Sequence, residues 1–372
     1  ASGEFKYAVV EYSSYGIYYS GIRSGAVKIE ESVIRYNSDY GIRGERGSDG
    51  QNNFGASIYV TNTQIVDNYR HGIYTGNEDY GKWEITGCDI LRNGAYGINL
   101  NHYSYYQVLK NNVIKENNNG VYLGHTSWEN DAKRIVSGNE ISKNTQKGLY
   151  LRAMHGDRQN NTRASFVERI TDNKINSNGD TGVLFQDWHY APMEVKGNEI
   201  KNNKGGGFSF DYRLDNNLVF EDNVIENNEG QGVYFSRIYG NVLIQNNVIK
   251  KNYYSGLYVG KDNDQDRSDE IVIKNNVVSE NKQGNDTRDD NGITLYYRSS
   301  ATAKITGNTV EDGGGYGIKV YNNSTLTSAQ VEGNTVKGNS KAGLRVEGRL
   351  LPLVKGNTFD GNGNGLELIY TD

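Results

Sequence analysis

Four histidines fall at one place in a repeating pattern. His102, His125, His155 and His189 stand +5, +5, +7 and +7 residues after the glycine of a recurring tetrapeptide, and the chain has only five histidines. Imidazole titrates near neutral pH, so such a row at one turn suits proton transfer. The same turn carries Arg152, Arg158, Arg213, Arg237, Lys261 and Arg298, on a chain whose net charge is −5. Tyr103, Trp128, Trp188, Tyr239 and Tyr297 add flat faces, and Asp211 lies among them. Rings that stack on sugars beside guanidinium groups that pair with carboxylates fit an extended anionic polysaccharide.

Chemistry on a uronate polymer needs three roles. A cation must neutralise the C6 carboxylate before the C5 proton becomes acidic, a base takes that proton, and an acid protonates the leaving oxygen or the opposite face. His189 or His155 is expected as base, Tyr190 or Tyr212 as acid, and Arg213 or Arg152 as the carboxylate clamp, with Asp187 orienting His189. His102, His125 and the remaining cations and rings of the turn would line the groove.

A different site is expected in the acidic run 262–270. Asp262, Asp264, Asp266 and Glu270 alternate with other residues as an oxygen cage for calcium would, and a solvated acidic loop is the alternative. No motif points to an organic cofactor.

The elements that hold these residues follow from two motifs. The tetrapeptide of Gly, an aliphatic or Phe, any residue and an apolar one recurs fourteen times, as in Gly120-Val121-Tyr122-Leu123 and Gly148-Leu149-Tyr150-Leu151. Between its copies runs Asn-x-Ile-x-x-Asn, as in Asn112 to Asn117 and Asn198 to Asn203. Apolar–polar alternation over so few residues is a strand signal. Short strands repeating every 22 to 36 residues, with Asn and Gly at the turns, describe coils of a parallel solenoid. Asn tolerates a left-handed turn and can bond to its neighbour in the next coil, while the glycine lets the backbone bend before the strand.

On these two motifs the chain resembles the right-handed parallel β-helix proteins of the pectate-lyase-like superfamily over almost its whole length. The resemblance implies an all-β, single-stranded right-handed parallel β-helix of about fourteen coils, forming one domain over 1–372. It also implies a polysaccharide-active protein, and Asp187-Trp188-His189 is similar to the Asp-Pro-His element of mannuronan C5-epimerases with Trp in the middle place.

Composition excludes other classes. With pI near 5.7 there is no basic field for nucleic acid, and no apolar run is long enough to span a bilayer. One cysteine, Cys88, forms no internal disulfide or cysteine-based zinc site. The expectation is an extracellular, secreted or cell-surface protein, monomeric or part of a larger multidomain chain. Two readings stay open: an enzyme, a lyase by β-elimination or a C5-epimerase, and a non-catalytic glycan-binding or adhesion module using the same Tyr- and Trp-rich face.

Overall fold

The computed structural model describes residues 2–20, 25–45, 57–76, 81–101, 106–126, 133–152, 167–261, 269–281, 290–297, 301–322, 329–349 and 351–371. Among them every helix or strand element is a β-strand. The chain divides into two compact units, Ala1–Pro192 and Met193–Asp372. Each unit stacks seven coils, and each coil gives one strand to each of three parallel sheets. The two units share one architecture.

Three successive coils of the first unit show how the repeat works. Their first strands are Tyr106–Lys110, Lys133–Ser137 and Glu168–Thr171; their second strands are Val113–Lys115, Glu140–Ser142 and Lys174–Asn176. Their third strands are Asn119–Leu123, Leu149–Arg152 and Val183–Gln186. Pairing is in register, so Ile114 lies over Ile141 and Ile141 over Ile175, all three fully buried. In the second unit Ile200, Ile225 and Ile249 form the same interior column.

The repeated asparagines form ladders on either side of the second strand. Asn117 donates from Nδ2 to Asn144 Oδ1 at 3.2 Å and to the Ile90 carbonyl at 3.0 Å. Asn144 repeats this with Asn178 Oδ1 at 2.9 Å and the Ile114 carbonyl at 3.2 Å. The backbone N–H of Asn117 also donates to Asn144 Oδ1. The left-handed residue is not the ladder asparagine but the one before it, as at Glu116 (φ 59) and Lys143 (φ 56).

The repeated glycine has a steric cause different from the one expected. A Cβ at Gly120 would lie 2.3 Å from the Gly148 carbonyl oxygen and 2.8 Å from Ile141 Cγ2. Two coils approach too closely there for any side chain, and φ at Gly120 is not left-handed.

His71, the fifth histidine, is part of a ring stack in the first unit. It lies between Tyr40 (5.4 Å, 6°) and Tyr96 (5.8 Å, 8°). The Tyr96 N–H donates to its Nδ1 at 3.4 Å. Burial, and then Arg70, lower its pKa from 6.5 to about 4.

Two predictions follow from this packing. Ile200→Asp buries an unpaired charge in the column, and the circular-dichroism melt should show an unfolded or aggregated protein; a native-like melt contradicts the stacking. The second concerns pH. The unfolded chain binds a proton at His71 before the folded one does, so this stability is complete above pH 6.5 and is lost as pH falls toward 4. His71→Phe keeps a ring and removes the titration. Urea melts from about pH 7 down to 4 should show the variant losing less stability than wild type, by up to ~3 kcal/mol; parallel losses would remove the assignment.

Candidate functional site

In the first unit, three side chains from successive coils converge at the end of the third sheet. His125 comes two residues after Asn119–Leu123, Arg152 ends Leu149–Arg152, and Asp187 follows Val183–Gln186. Arg152 donates from Nε at 2.9 Å and from Nη2 to Oδ2 of Asp187. His125 Nε2 is 3.5 Å from the same oxygen. All three side chains are part-exposed, at 21% for His125 and 34% for the other two. Burial works against the charge on Arg152, but the Asp187 contact outweighs it and raises the guanidinium pKa.

The backbone at Asp187 is unlike that of any other described non-glycine residue. Its φ is 114, whereas the other non-glycine residues with positive φ lie between 47 and 59. The latter is the ordinary left-handed turn region; the former is a strained conformation for a residue with a side chain, costing about 1–3 kcal/mol. Such strain persists only where the surroundings over-determine it, and it concentrates at functional sites.

Outward-facing rings flank the cluster. Tyr122 and Tyr150 pair in register on adjacent coils with centroids 5.0 Å apart at 67°. The Tyr150 hydroxyl donates to Gln186 Oε1, and Gln186 lies in register with Arg152. Burial raises the pKa of Tyr122, and Arg152 pulls against it. These tyrosines were not among the expected groove residues. Their signal was the third position of the tetrapeptide, which is Tyr at 18, 74, 122, 150, 234 and 258 and points outward.

His189 is a correction. It is fully buried, with Nε2 3.2 Å from Glu168 Oε2 inside the solenoid, in an orientation short of a well-aligned hydrogen bond. A side chain sealed in the core cannot take a proton from a polymer on the surface, and the histidine that approaches Asp187 is His125, at 3.5 Å. Glu168 is itself buried beside Arg134, 3.3 Å away. Burial pushes the Glu168 carboxyl up to about 7 against the pull of Arg134. Burial lowers the Arg134 pKa, partly offset by Glu168. Neither Arg134 nor Glu168 was among the expected residues.

Other expected groove residues also face inward. Tyr297 is fully buried, and Lys261 is buried with Nζ 2.8 Å from both the Gly240 carbonyl and Asp269 Oδ2. Tyr239 is buried at 6% exposure beneath Arg213, whose guanidinium sits 3.9 Å from the ring centroid. These three cannot serve as surface platforms. Arg213 also donates from Nε to Asp215, and Asp211 accepts from Ser209. Tyr212 and Arg237 are exposed in the second unit. Trp188 and Tyr190 are part-exposed in the first, with ring centroids 6.4 Å apart. His102, Tyr103, Trp128, His155, Arg158 and Arg298 lie outside the described residues.

Asp262, Asp264 and Asp266 also lie outside them. At the described edge of that run, Glu270 accepts from Lys304 Nζ at 2.7 Å and Asp269 from Lys261. Both carboxylates face ammonium groups, and the Glu270 pair with Lys304 is about half exposed, at 46% and 45%. Among the described residues no group of three or more acidic, His or Cys side chains could hold a metal.

The profile of the right-handed β-helix region matches residues 1–167 and 155–330. No curated protein sequence matches the chain significantly. Among solved structures, a mutant of the periplasmic alginate epimerase AlgG is similar with TM-score 0.45 and 14% identity, over 92% of this chain and 78% of that one. The A-module of the Azotobacter vinelandii mannuronan C-5 epimerase AlgE6 is similar with TM-score 0.32 and 11% identity, over 94% and 91%. Likeness at this level bears on neither activity nor substrate. The three parallel sheets, the asparagine ladders and the match over most of its length make the chain a member of the right-handed β-helix family.

Proposed function

We propose that the first unit acts on an anionic, uronate-containing polysaccharide laid across Tyr122 and Tyr150, as a lyase or a C5-epimerase. The observation that carries this reading is the convergence of His125 and Arg152 on one oxygen of the strained Asp187. Arg152 donates from Nε and Nη2 to Asp187, and its Nη1 makes no hydrogen bond among the described residues. That edge is available to a sugar carboxylate, whose neutralisation acidifies the C5 proton. His125, oriented by Asp187, takes the proton.

In β-elimination the electron pair of the C5–H bond becomes the C4–C5 double bond, the C4–oxygen bond breaks, and the departing oxygen takes a proton. Tyr150, two residues before Arg152 and facing outward, offers one from its hydroxyl. In epimerisation the same base removes the proton and an acid on the other face returns one. A polymer of this kind entails an exported protein.

A second reading has its own support. In the second unit Tyr234 stacks on Tyr258 at 5.0 Å, and Tyr296 on Tyr321 at 4.5 Å and 8°. Outward aromatic rows of this kind suit glycan binding without chemistry.

One set of variants separates the readings. Wild type should convert pectate, alginate or a glycosaminoglycan, followed by ultraviolet absorbance of the unsaturated product or by NMR of C5 inversion. His125→Ala should lower kcat by about 10²–10⁴-fold while glycan retention stays. Arg152→Ala should lower kcat and raise KM, because a clamp serves ground and transition states together. No conversion by wild type, with retention lost in Tyr258→Ala and kept in His125→Ala, would leave the binding module.

A further inference from the structure

Beneath the outer cluster lies a set of buried polar groups that the chemistry above does not use. The inward column of the first sheet runs from Gly3 through Val27, Ile58 and Trp83. It then turns polar for three coils in succession, at Gln107, Arg134 and Glu168, all fully buried. These are the coils on which His125, Arg152 and Asp187 are built.

The contacts of Arg134 are directed at that cluster. Its Nε donates to Gln107 Oε1 at 2.7 Å, its Nη1 to the Arg152 carbonyl at 2.8 Å, and its Nη2 to the Gly124 carbonyl. Gly124 immediately precedes His125. Glu168 completes the set, with Oε1 at 3.3 Å from Arg134 Nη1 and Oε2 at 3.2 Å from His189, two residues after Asp187. One buried network therefore reaches the chain at Arg152 itself, one residue before His125 and two residues after Asp187.

Stability is a weak account of these groups. Replacing a buried ion pair by apolar side chains of similar volume is often neutral or stabilising, and the other coils fill the column with such residues. A rigid fork that fixes two main-chain carbonyls in different coils does something an aliphatic residue cannot.

We propose that Arg134 and Glu168 are positioning residues, which set the spacing of His125, Arg152 and Asp187 by holding their main chain from inside the solenoid. The inference rests on reading that outer cluster as the reactive site, and its first test needs no substrate.

Arg134→Lys keeps the charge and loses the fork; Glu168→Gln keeps the shape and loses the charge. With histidines labelled by nitrogen-15, the imidazole signals of the full chain are followed through a pH titration. The His125 signal and its midpoint should move in both variants while those of His71 stay. On whichever uronate polymer wild type converts, kcat should fall by about 10²-fold with KM within about twofold, since a small misplacement of reacting groups costs rate more than binding. A lower Tm with the His125 signal and kcat unchanged means a purely structural role and overturns the inference. Should wild type convert no uronate polymer, the function proposed above falls, and the His125 signal decides the positioning role by the same two outcomes. If Arg134→Lys does not fold, Glu168→Gln carries the test; failure of both to fold makes the network a folding element and also overturns it.

Discussion

Everything in each unit depends on every coil returning to the same place above the last. A parallel coil can satisfy its backbone only through its neighbours, and the asparagine ladders extend that condition into the turns. Each ladder bond contributes only about 1 kcal/mol net, whereas a buried amide left without partners costs about 1–3 kcal/mol. The penalty for slipping register therefore exceeds the gain from any one bond. The chain reflects this: the two ladder asparagines of a coil are five residues apart at 112 and 117, at 139 and 144, and at 247 and 252, while overall coil length varies from 22 to 36. Variation is confined to segments outside the ladders.

Registration turns sequence neighbours of different coils into spatial neighbours about 4.8 Å apart. A site can then be assembled by placing one residue per coil at the same step, as His125, Arg152 and Asp187 are. The third sheet presents them beside Tyr122 and Tyr150, and the first sheet places Gln107, Arg134 and Glu168 behind them. The outlying φ of Asp187 and the polar break in an otherwise apolar column both occur in these coils. Two departures from the repeat in one place are what a functional site looks like in a scaffold that otherwise copies itself.

The fold was legible because the repeat is one-dimensional. Ile114, Ile141 and Ile175 could be aligned by their asparagines alone, and they stack as the alignment requires. The site was legible only in part. Arg152 and Asp187 were named, and His125 was placed on the groove, but the base was expected at His189 or His155. Inward–outward alternation holds along a strand and is lost after it, so nothing in the sequence tells that His189 turns into the core. In the second unit the register also shifts between Phe210 and Arg213 and between Phe235 and Ile238, which upsets the same parity near Tyr239. Arg134 and Glu168 were readable in principle: lining up the first strands sets them under Trp83, where an apolar residue is due.

The central claim is that a uronate polymer meets Arg152 and His125 on the outer face of the third sheet. The most direct measurement is a crystal structure of the His125→Ala protein with a uronate oligosaccharide, which the loss of the base leaves uncut. A sugar carboxylate within hydrogen-bonding distance of Arg152, with a pyranose ring over Tyr122 or Tyr150, is the predicted result. An oligosaccharide bound elsewhere, with Arg152 still closed on Asp187 alone, would contradict the account.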